Sequence, residues 1–293
     1  PAVATIAQLL ADARADSFGD AWPLETDLLL MAALDCRRET LMTWPEREVA
    51  AEPAARFAEF LTRRRQGEPI AYITGRKAFW DFELEVSPAV LIPRPETELL
   101  VEVCIDLANA RLFSGEQQGQ HGQQKLLDLG AGSGAVAIAL ARSESRFKVT
   151  GVELSADALA VARSNAQRLA GENLTFVQGS WLSPSVREML PAEVDIIASN
   201  PPYIAPQDAH LKEGDLRFEP ALALSCEEQG LSAFRSIIED SSRVLKPGGW
   251  LVFEHGYDQR EAVGKLMDAA GYREIECLQD LSGQDRVTRG RRG

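Results

Sequence analysis

The chain has 293 residues, 45% of them hydrophobic, and a formal net charge of -13. That length and apolar content suit about two packed domains, while the acidity argues against broad capture of a nucleic-acid backbone and makes a basic protein surface the more natural partner. No run approaches the roughly 20 apolar residues of a membrane span, and the first residues lack a signal-peptide pattern, so a cytoplasmic location is expected.

Residues 1–75 read as a small all-helical domain. Ile6, Leu9, Leu10 and Ala13 recur at helical spacing, Leu24 to Leu34 is a denser run, and Val49 to Leu61 is amphipathic. Its bland role is packing; its functional role is to grip a protein substrate. Residues 76–95 read as a β-hairpin linker, with Phe79–Val86 alternating as one strand, Ser87-Pro88 after it, and Val90–Ile92 as the other. Pro95 starts a helix with Glu96 and Glu98 in its first turn, and Arg94 is placed equally well for an ion pair with Glu98 or for a ligand. Ser114 to Gln124, rich in Gly and Gln, reads as a flexible surface connection and contains His121.

From residue 96 to residue 293 strands and helices alternate, as in a largely parallel sheet covered by helices on both faces. An apolar strand ending at Leu129 leads into the loop and helix Gly130-Ala131-Gly132-Ser133-Gly134-Ala135. The strand Lys148 to Glu153 and the helix Ala156–Leu169 follow, and then the strands Leu174–Val177 and Val194–Ser199. A helix from Gly230 to Val244, a strand Trp250–Glu254 and a helix Arg260–Ala270 precede two late strands near Tyr272–Leu278 and Arg286–Arg289. Arg63, Arg64 and Arg65 form one basic cluster and Arg286, Arg289, Arg291 and Arg292 another, both read as solvated charge. Cys36, Cys104, Cys226 and Cys277 lack CxxC spacing, which points to reduced, mostly buried thiols rather than zinc or disulfides.

Two motifs carry chemistry. In the first, glycines after a strand let the backbone approach a ligand in conformations closed to residues with a Cβ. The spacing is GxGxG rather than the GxGxxG of pyrophosphate binders, and Glu153 ends the next strand about 20 residues on, where a carboxylate can accept both hydroxyls of a ribose. No Walker lysine follows, which disfavours phosphate transfer. The second motif, Asn200-Pro201-Pro202-Tyr203, directly follows a buried strand. Two prolines freeze the turn and leave carbonyls free to accept, so the Asn200 oxygen and nearby carbonyls suit a planar NH2 group, with Tyr203 as a flat wall. His210 and His255 have no evident triad partners.

These residues resemble class I S-adenosylmethionine-dependent methyltransferases and, more narrowly, the HemK/PrmC family. That family methylates the side-chain amide nitrogen of the glutamine in the GGQ motif of class I peptide release factors. The likeness runs through Gly67-Glu68-Pro69-Ile70-Ala71-Tyr72-Ile73-Thr74-Gly75, Leu91-Ile92-Pro93-Arg94-Pro95-Glu96-Thr97-Glu98, Phe218-Glu219-Pro220-Ala221-Leu222, Glu254-His255-Gly256 and Gly283-Gln284-Asp285-Arg286-Val287. It covers nearly the whole chain, and IPRPETE is its most discriminating part.

The resemblance implies a Rossmann-like, mostly parallel seven-stranded sheet with a terminal antiparallel hairpin and a small N-terminal helical domain. It also implies S-adenosyl-L-methionine as cofactor and release factors as protein substrates, without direct nucleic-acid binding. Gly130, Ala131, Gly132, Ser133 and Gly134 are expected to meet the cofactor, Glu153 its ribose and Trp181 its adenine. Asp128 is expected to hold the loop or the methionine amino end. Asn200, Pro201, Pro202 and Tyr203 form the acceptor site, Asn200 also facing the cofactor. Glu153 stands where the family commonly has Asp, and Ser180 stands where an acid often precedes the tryptophan. A packed core indole is the competing reading of Trp181. Three other activities stay open: a glutamine methyltransferase for a ribosomal protein, an adenine-N6 methyltransferase, and a non-enzymatic binding module on the same fold.

Overall fold

The computed structural model describes residues 3–15, 18–113 and 123–293. The chain divides into two compact units, one of residues 1–76 with 214–218 and the other of residues 77–213 with 219–293.

The first unit is built from α1 (Ile6–Ala15), α2 (Trp22–Leu34), α3 (Arg38–Thr43), α4 (Ala51–Arg65) and α5 (Ile70–Thr74). Ile6, Leu10, Trp22, Leu29, Leu30, Phe57, Leu61 and Ile73 converge in one core. The Trp22 indole is buried and donates to the Ala13 carbonyl at 2.9 Å, so a large ring enters the core without stranding its N–H. The arginines at the end of α4 are paired rather than merely solvated. Arg63 meets Glu68 at 2.6 Å, Arg64 meets Glu25 at 2.7 Å and Asp215 at 3.4 Å, and Arg65 lies 5.7 Å over the Trp22 ring. Sequence spacing showed the cluster but not its partners, of which Glu25, Asp215 and Trp22 come from distant segments.

The second unit opens with a two-stranded sheet of β1 (Arg76–Phe79) and β2 (Phe82–Glu85). The hairpin turns at Trp80-Asp81, not at Ser87-Pro88, and Val90–Ile92 is not a strand. Trp80 takes a left-handed φ of 56° there, and its N–H donates to Glu98 at 2.8 Å. Pro95–Thr97 is a 3-10 turn that leads into α6 (Glu98–Phe113). The expected connection from Ser114 lies, through Gly122, outside the described residues, His121 with it. Gln124 does not belong to it: this residue is buried at the start of β3 (Gln124–Leu129), and its Nε2 donates to the Ala108 carbonyl at 2.6 Å.

After β3 come α7 (Ala135–Ser143), β4 (Phe147–Glu153), α8 (Ala156–Leu169), β5 (Leu174–Gln178), α9 (Pro184–Met189) and β6 (Val194–Ser199). Two short turns, α10 (Ala221–Leu224) and α11 (Glu227–Gly230), precede α12 (Ser232–Ser241). The helix expected from Gly230 is therefore shorter, and Glu228 and Gln229 just before it are left-handed at φ 56° and 58°. The remaining elements are β7 (Leu245–Glu254), α13 (Arg260–Ala269), β8 (Tyr272–Gln279) and β9 (Asp285–Arg292).

Among the described residues seven strands form one sheet, in the order β5-β4-β3-β6-β7-β9-β8. The first five pair in parallel, and β9 pairs antiparallel with both β7 and β8. Every residue of β6 is buried, as a central parallel strand with covered faces requires. Asp195 in that run is neutralised by Lys246 at 2.8 Å and accepts from the Lys125 N–H at 2.9 Å. The C-terminal arginines again pair instead of facing free solvent: Arg289 with Glu276 at 2.6 Å, Arg291 with Glu274 at 3.1 Å, and Arg286 with Asp280 at 3.2 Å. Arg289 and Arg291 also cover the Trp250 ring. Among the described residues no helix is long and apolar enough to cross a membrane.

Asn165 of α8 ties the hairpin to the glycine loop. Its Nδ2 donates to the Glu85 and Ser133 carbonyls at 2.9 and 3.0 Å, and its Oδ1 accepts from the Glu85 N–H at 2.8 Å. Replacing it with alanine strands these backbone groups, of which the Ser133 carbonyl is buried. Denaturant unfolding of Asn165→Ala should report a loss of about 2–4 kcal/mol.

Candidate active site

The sheet order reverses beside β3, whose neighbours β4 and β6 lie on opposite sides; ligands of open α/β sheets bind at such a point, beyond the carboxyl ends of the strands. The glycine loop leaves β3 there. Gly130, Gly132 and Gly134 have φ of 80°, 54° and 86°, a region that L side chains rarely adopt. The N–H groups of Gly130 and Ala131 bond the Val152 carbonyl at 2.9 and 3.0 Å, so the end of β4 anchors the turn. Ser133 is buried, and its carbonyl is one of the two held by Asn165. Gly134 caps α7 in the left-handed conformation.

Two carboxylates flank the loop. Asp128 is 2% exposed and accepts from the Ala137 N–H in the first turn of α7 at 3.1 Å. Burial raises its carboxyl to about 7 against the lowering effect of that hydrogen bond, and the Glu153 charge adds to the rise. Glu153 is half-buried, with Oε2 accepting from the Gly132 N–H at 2.8 Å and Oε1 from the Ser155 N–H at 2.9 Å. Each oxygen keeps a further lone pair for a diol.

Trp181 is half-buried and left-handed at φ 40°, and its indole packs on the main apolar core. A Cβ added at Gly130 would lie 3.1 Å from the indole edge, whereas one at Gly132 would meet nothing within 4 Å. The loop is thus closed on the indole side and open at Gly132. An acidic pair beside an open glycine turn suits the ammonium and the ribose of S-adenosylmethionine. Ser180 is exposed.

The second half of the site follows β6. Asn200 is half-buried, and its Nδ2 donates to Thr97 Oγ1 at 3.3 Å, so the IPRPETE segment holds the asparagine. Pro201 is buried, and among the described residues its carbonyl accepts no hydrogen bond; the Pro202 carbonyl accepts from the Cys226 thiol at 3.0 Å and the Tyr203 carbonyl from Gln259 at 2.9 Å. The Tyr203 side chain packs on the core, and burial keeps its phenol protonated far above the ordinary range.

Arg94 does not pair with Glu98. It pairs with buried Glu219, whose Oε2 also accepts from the Ile92 N–H at 3.0 Å. Glu219 lies 125 residues away in sequence, beyond the reach of a local-spacing argument. The four cysteines are free, but only Cys104 is fully buried. His255 is locked between the Gly256 carbonyl and Thr288 Oγ1, at 2.8 and 2.7 Å.

A PrmC N-terminal domain model matches residues 2–75, and a methyltransferase domain model matches residues 120–290. A Vibrio cholerae protein named release factor glutamine methyltransferase is 45% identical over 94% of this chain and 91% of its own. Proteins of the same name from Pseudomonas aeruginosa and Burkholderia pseudomallei are 42% and 41% identical, covering 98% and 99% of this chain and 98% and 97% of theirs. The chain belongs to the release factor glutamine methyltransferase family. It is an enzyme with the methyltransferase fold and S-adenosylmethionine as methyl donor.

Solved structures agree on the fold of this family member. A methyltransferase from Pyrococcus furiosus aligns at TM-score 0.52 and 16% identity, over 80% of this chain and 99% of that one. The hMettl16 catalytic domain, solved with an RNA hairpin, aligns at 0.54 and 14%, over 82% of this chain and 81% of that one.

Sequence reasoning missed Thr97, Asn165 and Glu219 as parts of this assembly. Thr97 and Glu219 lie inside segments that the family resemblance had marked, which was the one available signal. Asn165 sits in an ordinary amphipathic helix and carried none.

The buried acid Asp128 gives a pH test of the enzyme. An acid neutral in the fold but ionised in the unfolded chain takes up a proton on folding. Its stabilising effect is therefore full below the unfolded value near 4 and declines as pH rises to about 7. Thermal melts should show Asp128→Asn gaining on wild type across that interval, with the difference constant above it.

Proposed function

We propose that this enzyme transfers a methyl group to the side-chain N5 of the glutamine in the GGQ motif of class I peptide release factors, in the cytoplasm. The observation that carries this reading is the orientation of Asn200. Its NH2 donates to Thr97 Oγ1, which leaves Oδ1 and the Pro201 carbonyl as acceptors at the end of a rigid strand.

A primary amide presents two N–H groups and fits two acceptors. Its nitrogen is a poor nucleophile because the lone pair is delocalised into the carbonyl. Asn200 Oδ1 and the Pro201 carbonyl accept the two hydrogens and aim the nitrogen, while the Tyr203 ring supports the amide plane. When bound, S-adenosylmethionine supplies an electrophilic methyl group on a sulfonium. The backbone of Gly130, Ala131, Gly132, Ser133 and Gly134 holds it beside Asp128, Glu153 and Trp181. Orienting the reactants in this way can supply roughly 7–11 kcal/mol of barrier reduction. The methylated amide cation is strongly acidic and loses its proton to solvent, so no dedicated base is needed.

The helical unit is read as the grip on the protein substrate, supported by its match to the family's N-terminal domain. The net charge of -13 favours a basic protein partner over nucleic acid.

Incubation with labelled S-adenosylmethionine and unmodified release factor, followed by peptide mass spectrometry, tests the assignment. The label should sit on the GGQ glutamine. Asn200→Ala should lower transfer on the order of 100-fold or more, while cofactor affinity changes less; equal loss of both contradicts the role given to Asn200. A release factor with glutamate at that position brings no hydrogens to the two acceptors. It should react at least about 5- to 150-fold more slowly, and methylation at the wild-type rate would sink this reading.

A further inference from the structure

The carboxyl of Glu254 lies beside Asn200 and has no part in the chemistry above. Phe253 of β7 pairs with Ser199 of β6, so Asn200 and Glu254 are the next residues along two adjacent parallel strands. Glu254 is 1% exposed, and among the described residues its buried Oε2 has no hydrogen-bond partner. The three residues before it, Leu251, Val252 and Phe253, are buried and apolar. A carboxyl at the end of such a run, with one oxygen unsatisfied, is costly for the fold.

Its surroundings are specific. The side chains of Thr97 and Asn200 face it and favour the charged form, as does Arg286 from β9; Glu96 opposes it. The Tyr203 phenol, kept neutral first by its own burial, also feels the charge of that carboxylate.

The Asn200 amide has two ends of nearly equal size and opposite chemistry. Only one orientation presents Oδ1 to a substrate amide, and in it the NH2 must be occupied by an acceptor. Thr97 Oγ1 accepts at 3.3 Å, a long bond, and a hydroxyl can also donate, so Thr97 alone does not decide the orientation. An ionised carboxylate can only accept, so it does decide.

We propose that Glu254 is the positioning residue of this reaction: as an acceptor-only carboxylate it draws the Asn200 NH2 and the Thr97 hydroxyl toward itself, so that Asn200 turns Oδ1 to the substrate. The idea rests on the glutamine-amide reading of the site. Protonation reverses it, because a neutral carboxyl can donate to Oδ1 and turn the amide over. Burial raises the Glu254 carboxyl to about 7, against the lowering effects of Thr97, Arg286 and Asn200. The chemical step should therefore strengthen as pH rises through about 7.

The contact can be read without any protein substrate. The side-chain NH2 resonances of Asn200, assigned by their absence from Asn200→Ala, should shift with a midpoint near pH 7 in wild type and stay put in Glu254→Gln. Resonances that do not move between pH 5.5 and 8.5 in wild type would overturn the proposal. In single-turnover methylation of release factor, Glu254→Gln should lower the maximal rate about 10- to 100-fold. It should also erase the inflection near pH 7, leaving cofactor affinity within about threefold. A variant that keeps both the wild-type rate and the inflection overturns the positioning role. Wild-type protein that transfers no methyl to release factor refutes the substrate reading instead, and the resonance titration then still decides whether Glu254 orients Asn200.

Discussion

The parallel pairing of β6 between β3 and β7 is the constraint on which the catalytic unit depends. Parallel strands point their carboxyl ends the same way, and strands covered on both faces are apolar along their length. Polar side chains can then face a ligand only where the pairing ends. The glycine loop after β3, Glu153 at the end of β4, Asn200 after β6 and Glu254 at the end of β7 all fall on that one edge. The chemistry is gathered by topology, from residues that span more than half of this unit's sequence.

The same unit buries several carboxyl groups, and they are not treated alike. Asp195 sits at the start of β6, far along the strand from Asn200, and is neutralised by Lys246. Glu219 is closed by Arg94 and a backbone N–H, which welds the FEPAL segment to the IPRPETE segment. These two are satisfied structural pairs. Asp128 leans on a helix N–H and Glu254 keeps an oxygen without a partner among the described residues, so burial pushes both toward about 7. Asp128 and Glu254, whose carboxyls burial raises, both lie at the ligand edge, where perturbed protonation is most useful.

Rigidity around the edge comes from contacts made at long sequence range. Asn165 bolts the hairpin to the glycine loop, Thr97 holds Asn200, and Gln259 holds the Tyr203 carbonyl. The prolines limit the local backbone, and these distant partners limit what remains. Reactants aimed by positioning alone need such a frame, because small displacements of the acceptors cost rate steeply.

The order of strands and helices, the glycine turn, the acid at the end of β4 and the strand-to-NPPY junction were legible in the sequence, since hydrophobic periodicity and backbone-restricting residues act locally. So were the segments shared with the family, though not what joins them. The sequence also pointed to a hairpin but misplaced its turn, because Trp80 adopts a left-handed conformation that its residue type does not advertise. It showed two arginine clusters and left them solvated, because their acidic partners lie on other elements. Arg94 was left between a near neighbour, Glu98, and a ligand, when its partner is 125 residues on. Which residues would form strands, turns and a ligand loop was thus determined by the sequence itself, through local propensity and spacing. Which side chains meet, Thr97 with Asn200, Arg94 with Glu219, Glu254 with Thr97 and Asn200, was decided only by the tertiary structure, because those contacts exist only once the sheet has brought its strand ends together.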